Sequence, residues 1–132
     1  MSRTIMKKHR KQMSPAEIGA LESHIRKMNY EAIGLHASER MAQKHVNARE
    51  ITNCLKYGEA IELHNEAGEW RALLRHQYGR PQVAVCVVFS IERHEVVTVW
   101  KNAGSDAHRT LDLSPYQFLG VNVCQLLGGI TA

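Results

Sequence analysis

Val83-Ala84-Val85-Cys86-Val87-Val88-Phe89-Ser90 is an almost wholly apolar run in which β-branched residues predominate. A run of this length and composition suits a central strand covered on both faces. Working outward, Glu92-Arg93-His94-Glu95 is a polar turn, and Val96 to Lys101 reads as the next strand. On the other side lie Gly79-Arg80-Pro81, a turn, and Trp70 to Gln77, a strand. Asn65-Glu66-Ala67-Gly68 is a further turn, preceded by a short strand from Ala60 to His64. Connections this short join antiparallel neighbours, so the second half of the chain predicts a four-stranded β-meander.

Upstream of Gly58 the apolar period changes from two to nearly four. Ser14 can cap a helix that begins at Pro15, and Glu17 can close its capping box. Ile18, Leu21, Ile25 and Met28 then follow at helical spacing, to an end near Asn29. Gly34 interrupts the pattern, and a second helix starts near His36 and carries Ala37 and Met41. Asn47, three residues before Glu50, starts a third helix with Ile51, Cys54 and Leu55 on its apolar stripe. Gly58 is placed to end that helix in a left-handed conformation. Beyond a polar loop from Asn102 to Leu113, Ser114-Pro115 repeats the capping device. Phe118, Leu119, Val123, Leu126 and Leu127 predict a last helix, ended by Gly128-Gly129. That segment either finishes the core or forms a dimer or partner surface. The expected class is α+β: N-terminal helices packed on a four-stranded antiparallel β-meander, with a C-terminal helix.

The 132 residues fit one domain, 14–132, preceded by a basic arm, 1–13. Arg3, Lys7, Lys8, Arg10 and Lys11 crowd that arm without an acid among them. Such an arm is either a solvated terminus or a phosphate clamp, with Lys7, Lys8 and Arg10 as contacts. The net charge of +4 and pI near 9.1 are compatible with an anionic partner and do not require one. Three widely spaced cysteines form no zinc-ligand pattern and suit a reduced, cytoplasmic protein. No apolar run reaches the roughly 20 residues that a membrane span needs, and no signal peptide is apparent. HExxH, G-x-S-x-G and P-loop motifs are missing, which argues against a metal hydrolase, a serine hydrolase and an NTPase. No metal or other cofactor is expected.

The stretch Leu35-His36-Ala37-Ser38-Glu39-Arg40-Met41-Ala42-Gln43-Lys44 resembles the HARERM-x-x-R opening of the DUF4258 domains. In that pattern a helical segment ends at a glycine, here Asn47 to Gly58, and a strand meander follows. Gly79-Arg80-Pro81 and Val96-Val97-Thr98-Val99-Trp100 match its later landmarks. The resemblance covers about residues 33 to 102. Ser38 replaces the first Arg of the pattern, and Lys44 or His45 stands near its last basic position. Domains of this kind look like relatives of the barnase–EndoU–colicin–RelE group, whose members include metal-independent ribonuclease toxins. The resemblance thus implies RNA as the substrate. A cognate antitoxin or a host protein is the possible partner.

RNA carries its own nucleophile, the 2′-hydroxyl. Cleavage then needs a proton acceptor, a proton donor and cations on the phosphate. His36 and Arg40, four apart, share a helical face and offer an imidazole and a guanidinium. Their other reading is a solvated helix face, or His36 as an N-cap. Arg75 and Thr98 complete a composite catalytic set; a polar outer sheet face is the alternative for Arg75. Arg71, Trp100 and Lys101 are candidate RNA contacts, with Trp100 either stacking on a base or packing in the core. Alternation places Thr98 and Trp100 on one face of their strand and Val97, Val99 and Lys101 on the other. A rival to the enzyme is a non-catalytic phage or mobile-element protein that binds a host protein or nucleic acid.

Overall fold

The apolar run forms β5 (Val83–Ser90), flanked in the sheet by β4 (Glu69–Tyr78) and β6 (Glu95–Ala103), with β3 (Glu59–Glu66) beyond β4. This computed structural model describes residues 6–27, 32–66, 68–78, 83–103 and 122–131. The four meander strands pair antiparallel in sequence order. The sheet is larger than four strands. β1 (Met6–His9) adds antiparallel to β3, and β2 (Ala32–Ile33) adds parallel to β6, giving the order β1-β3-β4-β5-β6-β2. Polar composition hid β1, and β2 is only two residues long. The basic arm is therefore no separate segment from residue 6 onward; residues 1–5 lie outside the described residues.

Helices α1 (Pro15–Lys27), α2 (Leu35–Lys44) and α3 (Ala48–Tyr57) precede the meander, and α4 (Val123–Thr131) follows it. Both expected capping boxes form. Ser14 and Glu17 exchange hydrogen bonds of 3.0 and 3.2 Å, and Asn47 and Glu50 exchange bonds of 2.9 and 2.8 Å. Leu21 and Ile25 of α1, Ile51 and Cys54 of α3, and Val123 of α4 bury against Leu63, Leu74, Val85, Val87 and Phe89 of the sheet. Full burial of a side chain such as Leu or Phe stabilises by about 1.5–3 kcal/mol, so this face carries most of the apolar stabilisation. Ile61, Leu73 and Cys86 form a smaller cluster on the opposite face, joined by Val88 and Trp100.

Three local expectations change. Gly58 ends α3 with φ −73° and ψ 161°, an extended conformation, not a left-handed one. Glycine is required for space: a Cβ there would run into the carbonyl of Cys54 and lie 3.1 Å from that of Arg75. Gly58→Ala should lower stability by about 1–3 kcal/mol, measured as a shift in urea midpoint with unchanged m-value. Gly128 and Gly129 do not stop α4, which runs through them to Thr131. The Asn122 side chain accepts from the Gln125 N–H at 3.2 Å at its start. Ser114, Pro115, Phe118, Leu119 and the Gly79-Arg80-Pro81 turn lie outside the described residues. In β6, Thr98 pairs with Val88 while Val96 pairs with Phe89, so Val97 is a bulge. The bulge puts both Val96 and Val99 into the main core, which strict alternation forbids.

Two carboxylates knit distant elements together. Glu17 accepts from Lys8 Nζ at 2.7 Å, the Ser14 N–H at 3.0 Å and the Val123 N–H at 3.0 Å, joining β1, α1 and α4. Burial pushes its carboxyl up, but those donors and the Lys8 charge outweigh burial and hold it down at about 2. Glu69 accepts from Arg71 at 2.7 Å, from Ser90 at 2.8 Å and from Arg93, which fastens the β5–β6 turn to β4. Burial again opposes ionisation, and the Arg93, Ser90 and Arg71 hydrogen bonds again bring the carboxyl to about 2.

Candidate functional site

Helix α2 begins where its chain meets β6. The Gly34 N–H donates to the Val96 carbonyl at 3.0 Å. A Cβ at Gly34 would lie 3.1 Å from Glu95 Oε1 and 3.2 Å from the Val96 oxygen, so glycine permits this close approach. At its far end, α2 closes on His45, which is left-handed at φ 55°. Lys101 of β6 donates to the His45 carbonyl at 2.7 Å and pairs with Glu50 at 3.3 Å. Glu50 also caps α3. Both ends of α2 are thus tied to one strand, with Ala37 buried beneath it.

Between them runs an open groove of about 500 Å³, lined by His36, Arg40, Lys44, Thr98, Val99, Trp100 and Lys101. Successive strand residues point to opposite faces, so a groove touching Thr98 through Lys101 follows the edge of β6. β2 pairs only with Glu95 and Val96; beyond them α2 lies alongside β6. His36, Arg40 and Lys44 recur at i, i+4 and i+8, which places them on one face at steps of about 6 Å. Among the described residues, no ion pair engages any of the three. This wall is a row of nitrogen-bearing side chains. The facing wall is uncharged at Thr98, Val99 and Trp100, and the Lys101 ammonium is held by α2 and α3.

Three of the four catalytic candidates, His36, Arg40 and Thr98, share this groove. Arg75 does not. It sits in register with Cys86, and Cys86 with Trp100, so a whole strand separates Arg75 from β6. Its side chain is buried at 7% exposure and donates to Gln77 at 3.3 Å. Among the candidate contacts, Trp100 and Lys101 line the groove. Arg71 bonds Glu69, buried Lys8 bonds Glu17, and Arg10 bonds Glu22 and the Ala60 carbonyl, each of those two at 3.0 Å. Lys7 lies half-buried on β1 opposite His64. Arg71, Lys8 and Arg10 thus make contacts within the fold, and neither they nor Lys7 line the groove. Lys44 was not among the candidates, although its spacing of eight from His36 was the signal.

Cys54 is buried, and burial pushes its thiol up, away from the thiolate a nucleophile needs. No cluster of metal-binding side chains occurs among the described residues. No helix among them is long and apolar enough to cross a membrane. No curated protein and no solved structure matches the chain. The family model for DUF4258, a domain of unknown function, matches residues 33–101, from the strand before α2 through Lys101. That span is more than half of the 132 residues and contains every residue lining the groove. The chain is a member of the DUF4258 family.

Proposed function

We propose that the groove binds the phosphodiester backbone of RNA and that the protein is a metal-independent, toxin-type endoribonuclease. The observation that carries this reading is the convergence of His36, Arg40, Lys44 and Thr98 on one groove. His36 takes the proton of the 2′-hydroxyl as that oxygen attacks the adjacent phosphorus. The bond to the 5′-oxygen breaks, leaving a 2′,3′-cyclic phosphate and a 5′-hydroxyl. Arg40 offers two parallel donors to the non-bridging oxygens, whose charge grows during attack. The Thr98 hydroxyl donates from the other wall, and Lys44 holds a neighbouring phosphate. Because the groove is open, water supplies the proton for the departing oxygen.

The distance of Arg75 from the groove favours a second reading, RNA binding without cleavage. Both readings require phosphate contacts, and salt dependence measures them. For single strands, log K falls with log salt by about 0.7 per phosphate neutralised. Arg40→Gln and Lys44→Gln should each reduce that slope by about 0.7 in fluorescence-anisotropy titrations. Unchanged slopes in both variants would remove the groove as the phosphate site.

A further inference from the structure

The two walls differ in chemistry, and the difference selects one form of RNA. Resting on the proposed RNA reading, we infer that the groove takes a single strand, its phosphates along α2 and a base against Trp100. The Arg40 and Lys44 cations and the His36 imidazole form one row on one helix face, spanning about 12 Å from His36 to Lys44. One row accommodates one backbone. The opposite wall has no free cation for a second backbone, because the Lys101 ammonium is held by the His45 carbonyl and Glu50. That wall instead offers Thr98, Val99 and the half-buried Trp100, whose ring also packs on the Ile61, Leu73 and Cys86 cluster. The packing keeps the indole in place beside the groove. A base stacked on an indole must leave its own helical stack, which a single strand does at low cost and a duplex does not. Base stacking on an aromatic side chain tightens binding about tenfold or more, and every base has a face to offer, so sequence preference should be weak.

The test uses binding, not cleavage. A fluorescently labelled, mixed-sequence 2′-O-methyl oligoribonucleotide, which lacks the attacking hydroxyl, is titrated with the full chain. It is used alone and annealed to its complement. The single strand should bind about tenfold or more tightly than the duplex, the ratio that stacking of one base supports. Trp100→Ala should reduce single-strand affinity about tenfold and leave duplex affinity unchanged, and Trp100→Phe should retain most of the binding. Equal or tighter binding of the duplex by the wild-type chain would overturn the single-strand inference and leave the RNA reading standing. Binding of neither form would overturn both. The wild-type comparison needs no variant, so a folding defect at Trp100 does not blunt it.

Discussion

Glu17→Gln should destabilise the protein by about 3–5 kcal/mol, the usual cost of breaking a buried ion pair by neutralising one member. Lys8 and Glu17 are each only 8% exposed at the side chain and lie 2.7 Å apart. The amide of Gln keeps the shape but cannot balance the ammonium. The loss reaches beyond one pair, because the same carboxylate accepts from the first turn of α1 and from the start of α4. The pH dependence follows from the folded-state value. The Glu17 carboxyl is held at about 2 against an ordinary 4.5, so the folded state binds its proton less readily than the unfolded chain. Its contribution is complete above about pH 4.5 and is lost as pH falls towards 2. Glu69, also held at about 2, adds loss in the same window. Urea unfolding at neutral and acid pH should show a wild-type midpoint that falls on acidification. The Glu17→Gln variant should start lower and fall less steeply. Equal midpoints for the two proteins at neutral pH would show that Glu17 is no anchor.

His36→Ala should slow RNA cleavage by about 10²–10⁴-fold, the range that a positioned general base contributes. The side chain is exposed and lines the groove without an ion-pair partner among the described residues. Its removal should therefore change stability by less than about 0.5 kcal/mol. The contrast with Glu17 is diagnostic: one substitution costs the fold, the other the chemistry. Single-turnover cleavage rates, with urea midpoints measured on the same preparations, separate the two. A His36→Ala variant that cleaves at the wild-type rate would remove His36 from the mechanism and leave the proton acceptor unassigned.

The central strand was legible because Val83 to Ser90 carries the signal of double burial in composition alone, and the bounds of β5 agree with it. The caps of α1 and α3 were equally legible, since a capping box is a pattern of residues three apart. What escaped depends on contacts between distant residues. β1 is Met-Lys-Lys-His, which has no apolar alternation; it is a strand because β3 offers an edge and Glu17 balances Lys8. The Val97 bulge shifted the faces of β6, which residue type cannot announce. For the groove, helical spacing joined His36 to Arg40, and the family resemblance pointed to β6. Neither could tell that Arg75 lies across a strand from the groove, or that Lys101 braces α2.

The most direct test of the central claim is incubation of the wild-type chain with a labelled mixed-sequence RNA in excess EDTA, followed by analysis of the product ends. Metal-independent cutting that leaves 2′,3′-cyclic phosphates and 5′-hydroxyls is the predicted result. RNA that stays intact at every protein concentration, while still bound by the chain, would contradict the ribonuclease assignment and establish binding without cleavage in its place.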